Sequence, residues 1–120
     1  MTVRRLKTYT SQTGYVYEYY FVGKRTALPE DPLAPATEYI FDISSDRKTT
    51  CAVSVFLSPQ VLETYNTSHG RRLSEPEQYA AVKMRLLQAL DDIADMPQHG
   101  RRLTLDADAL AALLESVGIE

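Results

Sequence analysis

Tryptophan is absent from this chain of 120 residues, cysteine occurs once and histidine twice. A lone Cys51 excludes an intramolecular disulfide and a cysteine-rich zinc site. With two histidines, any metal site would have to rest on carboxylates. No glycine-rich phosphate loop, H-E-x-x-H, C-x-x-C or G-x-S-x-G run is present, so no cofactor or metal is expected. No window approaches the roughly 18 consecutive apolar residues needed to span a bilayer. The opening MTVRRLKTYT carries charge but no apolar run behind it, which argues against a signal peptide. These absences together lead to the expectation of a cytoplasmic protein with no membrane partner.

What the chain does have is a hydrophobic fraction of 44% and a charged fraction of 24%, those of a globular domain large enough to build a core without staples. The net charge of −3 is unevenly spread. Arg4, Arg5, Lys7, Lys24 and Arg25 face only one acid, Glu18, in the first 27 residues, and the remainder is acidic. Basic residues interleaved with tyrosine suit single-stranded nucleic acid, through phosphate contacts and base stacking. The same residues also keep an edge strand from aggregating.

Four of the eight tyrosines fall in GYVYEYYFVGK, residues 14–24. In a strand, successive side chains point to opposite faces. Tyr15, Tyr17, Tyr19 and Phe21 then share a core face, while Val16, Glu18, Tyr20 and Val22 share the other. Residues 3–10 are expected to pair with this strand across a turn at Ser11–Gly14. Placing Thr10 opposite Tyr15 sets Lys7 against Glu18 and Arg5 against Tyr20, and puts Leu6 and Thr8 on the core face. Pro29, Pro32 and Pro35 make residues 28–36 a connecting loop. A second hairpin follows, Thr37–Ser44 with Thr49–Leu57, in which Phe41 should face Val53 and Ile43 should face Cys51. Cys51 is thus a core residue, with no basic neighbour in view to activate its thiol.

The period then becomes helical. Ser58-Pro59 is a start signal for a helix reaching about Asn66. Ser74 and Glu77 form a capping box that opens a helix running to about Met96, with Tyr79, Val82, Leu86, Leu90 and Ile93 as its apolar stripe. A last helix begins at Asp106, buries Leu110, Leu113, Leu114 and Val117, and stops at Gly118. Asp91, Asp92 and Asp95 form the densest acidic group, read here as a solvated face.

His69-Gly70-Arg71-Arg72-Leu73 recurs residue for residue as His99-Gly100-Arg101-Arg102-Leu103. The copies flank a helix roughly 30 Å long, too far apart for one small-molecule site if that helix is straight. Each is read as a helix-to-helix connector, with Arg71, Arg72, Arg101 and Arg102 as weak anion contacts.

The fold expected is α+β, a single domain over residues 1–120: a four-stranded antiparallel meander (residues 1–57) with three C-terminal helices on one face (residues 58–120). The leading functional expectation is a non-enzymatic interaction module. It would use Arg5, Lys7, Tyr9, Tyr20 and Lys24, on the outer face of the first hairpin, for a protein partner or a second copy of itself. Nucleic-acid binding by the basic hairpin is the second reading, and a small enzyme using His69 or His99 is the third.

Overall fold

The structure, a computed structural model, describes residues 6–119. Its strands are β1 (Lys7–Thr10), β2 (Val16–Thr26), β3 (Thr37–Ser44), β4 (Cys51–Leu57) and β5 (Arg102–Thr104). The helices are α1 (Pro59–His69), α2 (Glu75–Asp92), α3 (Met96–His99) and α4 (Ala107–Ser116). The strands form one sheet in the order β1-β2-β3-β4-β5. The first four are an antiparallel meander, and β5 joins β4 in parallel.

The α+β class holds, while the expected count of four strands and three helices is corrected. The period-2 signal of β5 is too short to read, because only Leu103 of its three residues is buried. The long helix also ends earlier than its apolar stripe suggested. Ile93 leaves it in extended backbone, and Asp95 starts the separate turn α3 by accepting a hydrogen bond from the Gln98 N–H at 3.2 Å. Ending α2 there allows the chain to return along the sheet and lay β5 beside β4.

Other start signals are realised as the side-chain chemistry dictates. Ser58 Oγ accepts from Val61 N–H, Ser74 and Glu77 close a reciprocal capping box, and Asp106 accepts from Ala109 N–H. Each satisfies an orphan donor of its helix, a contribution of about 1 kcal/mol. Tyr17, Tyr19, Tyr39, Phe41, Ile43, Val53 and Val55 come up from the sheet to meet Tyr65, Val82, Leu86, Leu90, Leu110 and Leu114 from the helices in one core. Phe21 sits edge-on to Tyr79 with ring centroids 5.0 Å apart, anchoring α2 on β2. In β3 and β4, Phe41 lies opposite Val53 and Ile43 opposite Cys51, odd residues facing odd ones as the alternation required.

The first hairpin is shifted by one residue from its expected register. Thr10 pairs with Val16, Tyr9 with Tyr17, Thr8 with Glu18 and Lys7 with Tyr19. The cause is the turn. Ser11 N–H donates to the Tyr15 carbonyl, leaving a three-residue loop, Gln12-Thr13-Gly14, with Gly14 at φ 95°. Such loops place glycine in the left-handed region. Every β1 side chain therefore changes face. Lys7 and Tyr9 turn to the helical side, and Thr8 turns away from it.

The two HGRRL segments, both expected to connect helices, adopt different conformations. Gly70 is the left-handed C-cap of α1 at φ 66°, and its N–H bonds to the Asn66 carbonyl. Gly100 has an ordinary negative φ of −123°. It is a glycine because a Cβ there would run into Sδ and Cε of Met96, a fully buried side chain. Replacing Gly70 by alanine should cost roughly 1 kcal/mol of left-handed strain, and replacing Gly100 should cost more, about 1–3 kcal/mol of overpacking. Urea denaturation of the two variants checks the order; equal losses would mean that Met96 moves aside.

Candidate functional site

Side chains opposite one another in an antiparallel pair share a face, so the register separates the residues singled out from the sequence. Arg5 lies outside the described residues. Tyr9 is on the helical side, where its hydroxyl donates to Asp91 Oδ2 at 2.7 Å. That hydrogen bond raises the tyrosine pKa above its ordinary range, with burial and the Asp91 charge adding to it. Asp91 Oδ1 also accepts from the Gln12 N–H at 3.0 Å, so this acid clamps the first hairpin to the end of α2. Lys24 likewise faces the helices: it lies opposite Tyr39, 5.7 Å from its ring centroid, and pairs with Glu75 of α2 at 3.2 Å. Lys7, opposite the core residue Tyr19, stays exposed at the sheet edge. Tyr20 alone of the described four is on the outer face, opposite Asp42, to whose carboxylate its hydroxyl donates at 2.7 Å.

The separation of Tyr20 from Lys24 comes from a β-bulge. Phe21 pairs with Phe41 and Gly23 with Ile40, so β2 spends two residues where β3 spends one. Before the bulge the odd residues of β2 face the helices. Beyond it Lys24 does, and Arg25 is sent outward to Glu38.

The outer face divides into two halves. Over one half folds the loop of residues 27–36, which closes with Ala27 N–H on the Ala36 carbonyl. Ala27 and Ala36 pack with Leu33 and Ala34 on Phe56 as a second, small apolar cluster. Arg102 reaches Asp31 of this loop at 2.6 Å and lies over the Phe56 ring, 4.7 Å from its centroid. Glu38 is buried beneath, accepting from Arg25 Nε at 2.9 Å and Ser54 Oγ at 2.6 Å. Its burial opposes ionisation, but the Ser54 and Arg25 bonds together outweigh it and hold the carboxyl below its ordinary value of 4.5.

The other half is open. Val16, Glu18 and Tyr20 of β2 lie alongside Ile40 and Asp42 of β3 and Ala52 of β4, and Leu6 borders them. Leu6 is 58% exposed and Val16 46%. A shallow depression of about 100 Å³ among Leu6, Glu18, Tyr20 and Asp42 is closed on one side by Arg47 and Lys48. Arg47 Nε stands 3.8 Å from Glu18, a loose contact from an exposed guanidinium to a half-buried carboxylate that contributes little. Acidic, basic, aromatic and aliphatic groups thus share one surface.

Three of the four repeat arginines have partners: Arg71 on Glu77 at 3.1 Å, Arg101 Nε on the Ala52 carbonyl, and Arg102 on Asp31. Arg72 is exposed and makes no hydrogen bond or ion pair among the described residues. His69 stacks on Tyr65 at 4.0 Å with its Nδ1 against the Tyr65 carbonyl, whereas His99 is exposed at the end of α3. Burial pushes the Cys51 thiol pKa up, with the Arg101 charge opposing it. Among the described residues no three His, Cys, Asp or Glu side chains converge to hold a metal, and no helix is long and apolar enough to cross a membrane.

No protein-family model matches the chain, and neither a curated protein nor a solved structure matches it.

The Glu38 cluster gives a pH signature. A carboxyl held below its unfolded pKa contributes stability that is complete above the unfolded value and is lost as the pH falls through the folded one. Wild-type protein should therefore exceed Glu38→Gln in stability at neutral pH, and the gap should shrink below pH 4.5. Denaturant titrations at several pH values check this; a gap independent of pH would remove Glu38 ionisation as its source.

Proposed function

We propose that the chain is a non-enzymatic interaction module that associates with a second copy of itself through the open half of the outer sheet face. The observation that carries this reading is the division of that face. The loop of residues 27–36 covers one half with its own apolar cluster, while the other half leaves Leu6 in solvent beside Tyr20 and Val16 in solvent farther along β2. An antiparallel sheet can keep one face wet, but a wet face is ordinarily polar, and this one combines aliphatic side chains with a tyrosine.

Its charges favour a second copy as the occupant. A two-fold contact presents the same patch from both sides and must be self-complementary. Glu18 and Asp42 stand next to Arg47 and Lys48 around one depression, so a two-fold rotation can set acids against bases. The competing nucleic-acid reading loses support from the pairing of Lys24 with Glu75 and Arg25 with Glu38, which leaves Lys7 as the one unpaired cation of the described hairpin arms. The enzymatic reading has His69 stacked and hydrogen-bonded rather than poised.

Ala52, exposed on β4 opposite Asp42 of the open half, provides the test. Sedimentation of the wild-type protein at rising concentration should show a monomer–dimer equilibrium. Ala52→Arg should weaken it by about tenfold or more, the size of effect at a well-packed interface centre, with an unchanged melting temperature. A strict monomer at every concentration, or dimerisation indifferent to Ala52→Arg, would sink the proposal.

A further inference from the structure

A larger concavity lies where the β1–β2 turn, the β3–β4 turn and the segment leaving α2 meet. This cleft of about 620 Å³ is walled by Tyr15 and Tyr17, with Cys51 on its floor, Ser45 and Thr50 at its rim, and Asp95 on the side of α3. It adjoins the outer-face depression at Tyr20, with which it shares Ile43, Ser44 and Thr50.

The Tyr17 side chain shows that the cleft is a polar opening as well as a gap. The residue is only 4% exposed, and its hydroxyl, which makes no hydrogen bond to another described residue, is not sealed from solvent. Burial raises its pKa first, and the groups that add to this are Tyr15, Cys51 and Asp95, all of which line the cleft. Tyr17 lines the space those residues enclose, so its hydroxyl, both a donor and an acceptor, is available to a ligand there. Tyr15, 48% exposed, is tilted 55° to Tyr17 with ring centroids 6.0 Å apart, so the pair forms an aromatic corner.

The electrostatics select the ligand's sign. Asp95 is the only charged side chain among the described residues lining the cleft. Its Oδ1 caps α3 through Gln98 N–H, and its Oδ2 makes no hydrogen bond or ion pair among the described residues. No lysine or arginine lines the space to receive a phosphate or carboxylate; Arg101, whose charge reaches Cys51, is turned to the Ala52 carbonyl. Ring faces attract cations through their quadrupole, and a carboxylate beside them adds direct attraction.

We propose that this cleft binds a small organic cation of the primary-amine class. Its ammonium would lie against the Tyr15 ring and the unused Asp95 oxygen, with the Tyr17 hydroxyl accepting one N–H and the tail lying over the Cys51 floor. Propylamine, protonated at neutral pH, is the minimal probe, and propanol is its uncharged match in size. In an NMR titration that follows the Tyr15 and Tyr17 ring signals, propylamine should give saturable shifts at about millimolar concentration, the range open to so few heavy atoms. Propanol should give none. Asp95→Asn keeps a capping oxygen for α3 and removes only the charge; Tyr15→Ala removes an exposed ring. Each should weaken propylamine at least tenfold while the melting temperature stays unchanged. Propanol binding as well as propylamine, no saturable shift with propylamine, or Asp95→Asn binding unchanged would each overturn the proposal.

Discussion

The extra residue in β2 between Phe21 and Gly23 is the constraint on which the arrangement of surfaces depends. A strand has a side-chain period of two, so inserting one residue reverses which face every later side chain occupies. Before the bulge, Tyr17, Tyr19 and Phe21 build the core with Phe41 and Ile43. Beyond it the same strand turns Lys24 toward α2 and Arg25 toward the outer face. That switch makes the Glu38 cluster possible. Arg25 arrives next to Glu38 and Ser54 only because the parity has changed, and the 27–36 loop can then close over a neutralised carboxylate rather than a bare one. Burying Glu38 unpaired would cost several kcal/mol.

The central hairpin and the helix starts were legible because their signals are local and redundant. Burying Phe41, Ile43, Cys51, Val53 and Val55 on one face requires odd residues opposite odd ones, and the structure pairs them so. Ser58, Ser74 with Glu77, and Asp106 each cap the helix that their chemistry announces. The first hairpin was illegible for an equally local reason. A four-residue turn and a three-residue loop differ by one backbone hydrogen bond, from Ser11 to Tyr15, and the alternation in β1 is too weak to choose between them. Of the outer-face residues expected to act together, Tyr20 remains there, whereas Tyr9 and Lys24 are held by Asp91 and Glu75 of α2. Both partners are more than fifty residues away in sequence. Val16, Ile40, Asp42 and Ala52 could have been placed beside Tyr20 from alternation alone; the half of that face covered by the proline-containing loop could not.

The repeated HGRRL segment shows how little a short identity fixes. In the first copy glycine supplies a left-handed helix cap, and Arg71 reaches forward to the Glu77 of the capping box. In the second, glycine makes room for Met96, and Arg102 rises from a parallel strand to Phe56 and Asp31. Only Leu73 and Leu103 share a role, as buried residues of the one core. Tertiary context, meaning a neighbouring helix in one case and a sheet edge in the other, assigns the conformation.

We propose the open half of the outer face as the place where the molecule meets a second copy of itself. A dilution series followed by methyl NMR tests it most directly, because Val16 and Ile40 lie on that half while Val61 and Leu62 pack on the opposite side with the helices. The Val16 and Ile40 methyl signals should move with concentration, and those of Val61 and Leu62 should stay fixed. Signals that are all independent of concentration, or shifts confined to the helical side, would contradict it.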